Sequence, residues 1–94
     1  AMYGTVARMQ VQPGKAADLK AEMDRQMSDP IAGYVKSYAL LENDSDTLWL
    51  TVVFEDKDSY MKNADDPAQH ERYMAMRSLL AADPEWHDGT IEEG

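Results

Sequence analysis

The run "TLWLTVVFE", residues 47–55, is apolar on both of its alternating faces. In an extended chain Leu48, Leu50, Val52 and Phe54 share one side, and Trp49, Thr51 and Val53 share the other. β-branched and aromatic residues dominate it, so it reads as a strand rather than a helix. A strand that is apolar on both sides is buried on both sides, and needs one layer of protein above it and another below. Any fold of this chain has to supply both layers.

The neighbouring segments supply the first. From Met2 to Val11 the residues alternate, with Thr5, Ala7, Met9 and Val11 on one side and Val6, Arg8 and Gln10 on the other, which predicts a strand. Pro13-Gly14 ends it. "KAADLKAEMDRQMSD" (15–29) then places Ala16, Leu19, Met23 and Met27 at helical spacing, and Pro30 stops that helix by disfavouring the helical conformation at Asp29. "GYVKSYALLE" (33–42) alternates again, and "NDSD" (43–46) supplies turn chemistry, so residues 33–55 predict a hairpin. "DKDSYMKNADD" and "PAQHERYMAMRSLLAAD" (56–83) are two helical pieces, with Pro67 in the first turn of the second and Asp65 or Asp66 as its cap. "EWHDGTIEE" (85–93) is a weaker closing strand, placed at an edge and interrupted by Gly89. The order β-α-β-β-α-β with right-handed crossovers predicts an α+β, ferredoxin-like sandwich: a four-stranded antiparallel sheet with helices on one face. Without repeats or linkers, residues 2–94 read as a single domain, and Ala1 before Met2 reads as the remnant of an expression tag.

Two helices cover only one face of such a sheet. The other face holds Val6 and Arg8 and, by alternation, either Tyr34, Tyr38 and Leu40 or Val35, Ala39 and Leu41. One parity of residues 47–55 joins them. A chain of 94 residues has nothing left to bury this second surface, and an exposed apolar patch of more than several hundred Å² is rare on monomers. A two-fold homodimer with sheets face to face is the expected remedy.

Charge and composition narrow the partners. Eighteen acidic against nine basic residues give a net charge of −9, which repels phosphate backbones, so neither nucleic acid nor an anionic membrane is an expected partner. No segment approaches the roughly 18 apolar residues of a membrane span, and no signal peptide is evident. The absence of cysteine excludes disulfides and thiolate chemistry and agrees with a cytoplasmic origin.

A first strand ending "RMQVQPGK", a helix of about four turns, a Tyr-bearing hairpin and then "LTVVFEDKDSYMKNADDPAQHERY" together resemble the antibiotic biosynthesis monooxygenase (ABM) domain of the dimeric α+β barrel superfamily. The likeness spans nearly the whole chain. Phe54 stands where that family more often carries a sheet-ending Trp. The resemblance implies a ligand cleft between sheet and helices, and two sheets closing a barrel across a dimer. It also implies cofactor-independent oxygenation of a small aromatic or polyketide-like substrate. The haem-degrading branch matches poorly, because the places of its Asn, Trp and His fall to Ala7, Asn63 and Tyr73. The quinone-forming branch matches better through its "Y-x-x-N", here Tyr60-Met61-Lys62-Asn63.

Cofactor-free oxygenation needs a phenolate or enolate that gives an electron to O2, a group that takes its proton or steadies its charge, and an apolar cleft. Asn63 is a candidate donor to an oxyanion. His70, with an ordinary pKa of about 6.5, is a candidate base. They share one face if the helix between them is continuous. Tyr60, Tyr73, Trp49 and Trp86 are candidate walls for a small apolar or aromatic ligand, and His87 is a second titratable group. Each also has a plainer reading: His70 as a surface histidine, Asn63 as a helix end, the aromatics and methionines as core or interface. No metal site and no cofactor site is expected, since two distant histidines hold no metal and no phosphate-cradling loop is present. The competing expectation is a dimeric domain that binds a small molecule, or serves structurally, without chemistry.

Overall fold

The computed structural model describes residues 1–94. Its elements run β1 (Tyr3–Gln10), α1 (Ala16–Gln26), β2 (Tyr34–Leu41), β3 (Thr47–Phe54), α2 (Lys57–Ala64), α3 (Pro67–Arg77) and β4 (Glu85–Thr90). The strands form one sheet in the order β2-β3-β1-β4, every neighbouring pair antiparallel, which is the ferredoxin-like arrangement. The doubly apolar β3 is internal, hydrogen-bonded on both edges.

Register decides which residues meet the helices. Thr5, Ala7 and Met9 lie opposite Val52, Leu50 and Leu48, and this parity faces the helical layer. Of these, Ala7, Met9, Leu48 and Leu50 make the core with Val11, Leu19, Met76 and Leu80, and Val52 packs against it. Gln12 stitches the core's end, its Nε2 donating to the carbonyls of Ser78 and Leu80. Val11 leaves the ladder to form a lone bridge with Leu80.

Neither of the two alternating sets expected in β2 holds intact. A bulge between Tyr34 and Lys36 shifts the register, so Tyr34 turns to the helical side while Tyr38 and Leu40 stay on the open side. Tyr34 Oη and Ser37 Oγ are hydrogen-bonded at 2.8 Å beneath the helices. The turn before β3 follows its polar sequence: Thr47 N–H donates to Ser45 Oγ, and Asp44 takes a left-handed φ of 56°.

The two helical pieces after β3 are separate helices, each with its own cap. Asp56 caps α2 by accepting from Ser59 N–H, and Asp66 caps α3 by accepting from Ala68 N–H, with Pro67 in the first turn. The closing strand ends at Thr90, three residues short of the expected stretch. No helix is long and apolar enough to cross a membrane.

The open sheet face carries Val6, Trp49, Tyr38 and Leu40, with Val6, Tyr38 and Leu40 exposed at 42%, 63% and 58%. Nothing within one chain covers them.

Candidate functional site

Between the sheet and the three helices lies a cleft of about 450 Å³. Its size falls within the roughly 300–1,000 Å³ of small-molecule sites. Each element contributes by its register. β3 presents Leu50, Val52 and Phe54 as an apolar bed, and β2 adds Tyr34 and Ser37 through the bulge. β4 alternates so that Trp86 and Asp88 face the helices, opposite Ala7 and Thr5. Helix α1 closes one side with Met23 and Met27, and α2 and α3 close the rest.

Of the residues singled out in the sequence, Tyr60, Asn63, His70, Tyr73 and Trp86 all line this cleft. Asn63 and His70 do so although the helix between them is broken, because α2 and α3 both pack over the same bed. Tyr73 and Trp86 pack as a tilted pair with centroids 6.4 Å apart. Trp49 is elsewhere: it pairs with Arg8 and Leu40 on the open face of the sheet, one residue out of phase with the cleft-lining parity. His87 is on that open face too, bound to Glu85 through Nε2 at 2.8 Å.

Tyr60 is the most constrained polar group of the cleft. Its ring sits edge-on to Tyr3 and Phe54, at 5.3 and 5.5 Å between centroids. Its hydroxyl donates to Asp88 Oδ1 at 2.8 Å. Burial, and then the adjoining carboxylate, push the phenol well above its ordinary value, so Tyr60 stays protonated and cannot serve as a base near neutrality. The Thr5 hydroxyl lies near Tyr60 but outside hydrogen-bond geometry, and its buried Oγ1 has no partner. His70 is exposed on the cleft's margin. The side-chain hydrogen bonds beside it, Ala68 N–H to Asp66 and Arg72 to Gln69, pass it by.

Thr5, Tyr34, Arg72 and Asp88 were not anticipated as site residues. Asp88 was within reach of the sequence, since strand alternation puts it on the same side as Trp86. Tyr34 was not, because only the bulge turns it inward.

Three solved structures place this architecture among known proteins. A proposed antibiotic biosynthesis monooxygenase from Chloroflexus aurantiacus is 26% identical and superposes with a TM-score of 0.79, covering 100% of this chain and 96% of its own. SnoaB, a cofactor-independent oxygenase from Streptomyces nogalater, is 22% identical with a TM-score of 0.80, covering 99% of this chain and 95% of its own. The chain carries the fold of the antibiotic biosynthesis monooxygenases. NE2512 from Nitrosomonas europaea, a protein of unknown function, shares the fold at 16% identity and a TM-score of 0.77, covering 99% of this chain and 91% of its own. Neither a family model nor a curated protein sequence matches the chain. The likeness therefore lives in the backbone, and the chemistry must be argued from the cleft itself.

Proposed function

We propose that the protein is a cofactor-independent monooxygenase of the ABM type, acting on a small aromatic or polyketide-like substrate inside the cleft. The observation that carries this reading is the convergence of Tyr60, Asn63, His70, Tyr73 and Trp86 on one mostly apolar space. Aromatic walls hold a flat substrate and exclude water. His70 takes the substrate's acidic proton, and the Asn63 amide donates to the anion that forms. The anion passes an electron to O2, the radical and superoxide combine to a peroxide anion, and His70 returns its proton to give a hydroperoxide. Loss of water from that hydroperoxide leaves a quinone-type carbonyl. Tyr60, held protonated and bonded to Asp88, serves as a wall.

The working unit in this proposal is a homodimer of one single-domain chain, closed by the apolar sheet face that bears Tyr38, Leu40, Val6 and Trp49. A chain without cysteine suits the cytoplasm.

The test is oxygen uptake and product formation with a panel of phenols, hydroquinones and anthrone-like ketones, aerobically and anaerobically. Oxygen-dependent product is expected, with His70→Ala and Asn63→Ala each lowering turnover about 100-fold. Absence of any oxygen-dependent product across the panel rejects the oxygenase. One observation favours a second reading, a binding domain without chemistry: His70 is exposed and no neighbouring group orients it, whereas a general base is usually held in place. Ligand binding with no oxygen-dependent product selects that reading.

A further inference from the structure

We infer that Thr5, Tyr60 and Asp88 form a hydroxyl-reading end of the cleft, which receives an aromatic ligand by a neutral hydroxyl group and turns away a carboxylate. The inference rests on the cleft being the ligand site and adds which group of the ligand it reads, and with what.

Thr5 is 2% exposed, and its Oγ1 is the one buried side-chain polar atom without a partner. A buried hydroxyl left unfilled is costly, and such atoms are rare in folded chains. This one lines the cleft, on the strand position directly opposite Asp88. Tyr60 reaches the same place from α2 and donates its proton to Asp88 Oδ1. Three oxygens from three elements thus converge, with Thr5 at the floor and the exposed Asp88 toward the rim.

Their proton inventory selects the ligand. Tyr60 has spent its proton on Asp88, so its oxygen offers lone pairs to the cleft. Asp88 accepts only, through its remaining oxygen. Thr5 holds one uncommitted proton and can also accept. A ligand hydroxyl matches this set, donating to Asp88 or Tyr60 while accepting from Thr5. A carboxylate brings no proton and meets a like charge in a partly desolvated space. An ammonium donates but cannot take the Thr5 proton. Arg72, the cleft's guanidinium, is engaged by Gln69 on α3, and a carboxylate bound there would ignore Thr5 and Asp88.

The experiment titrates the intact protein with 2-naphthol, 2-naphthoate and 2-naphthylmethylamine at neutral pH, by calorimetry or Trp fluorescence. Naphthol is expected to bind at least about tenfold more tightly than naphthoate, a step the size of one satisfied hydrogen bond. Thr5→Val keeps shape and removes the hydroxyl. It is expected to weaken naphthol about tenfold, leave naphthoate unchanged, and hold or raise the thermal midpoint. Asp88→Asn is expected to weaken naphthol and narrow its lead over naphthoate. The inference is overturned if naphthoate or the amine binds as tightly as naphthol, if Thr5→Val leaves naphthol affinity unchanged, or if none of the three binds. Binding alone is read, so rejection of the oxygenase by the substrate panel leaves this inference standing, and failure of this inference leaves the oxygenase to its own test.

Discussion

Tyr60 holds its proton because ionising it would put a charge in a part-buried place, and next to the Asp88 carboxylate. Above the ordinary tyrosine value of 10.0 the unfolded chain loses this proton while the folded chain keeps it. The folded state then binds more protons, so the contribution is whole below that value and declines as pH rises past it. Tyr60→Phe is expected to flatten the alkaline decline in stability and to remove a late-ionising phenol from an ultraviolet titration. Asp56 behaves in the opposite sense. The Ser59 N–H lowers its carboxyl, so its share of stability is present above the ordinary carboxylate range and is lost as pH falls through the lowered value. At this scale the sequence named Tyr60, Asn63, His70, Tyr73, Trp86 and Trp49 as a group, and all but Trp49 line the cleft. It could not show that Tyr60 is paired with Asp88, since the two are 28 residues apart and meet only through packing.

Among the elements, β1 and β3 come especially close at Gly4. A Cβ there would collide with the Val52 carbonyl oxygen and approach Ile91 Cδ1 to 2.8 Å. Gly89, which faces Gly4 across the β1–β4 ladder, has nothing within 4 Å of such an atom. Gly4→Ala is therefore expected to cost about 3 kcal/mol and Gly89→Ala almost nothing, read from urea denaturation midpoints. The sequence pattern pointed to Gly89 as the special glycine, because it interrupts a weak strand. Gly4 looked ordinary because the crowding comes from a strand some fifty residues away. Strand and helix order, the Pro67 start and a cap at Asp65 or Asp66 were legible because they depend on neighbours within about four residues, and the structure selects Asp66. The bulge in β2 was not, since it answers to the pairing of Tyr34 with Phe54 rather than to anything local.

For the whole molecule, the open sheet face is the largest unsolved demand of a single chain. Leu40 and Tyr38 are exposed enough that replacing them in one copy should change its own stability by no more than about 0.5 kcal/mol. The double substitution Leu40→Glu and Tyr38→Glu is expected to give a folded single chain in sedimentation, and the parent is expected to sediment as two. A parent that stays single at micromolar concentration rejects the dimer. The chain's own alternation determined that β3 needs cover on both faces, that helices supply one layer, and that the order of elements yields this sheet. Periodicity is local, so it survives being read along a line. Only the tertiary structure decided which parity meets the helices, that Trp49 lies away from the cleft, and that Thr5, Tyr60 and Asp88 share one corner of it. Those facts rest on inter-strand register and a single bulge, and register is set by what each strand finds beside it.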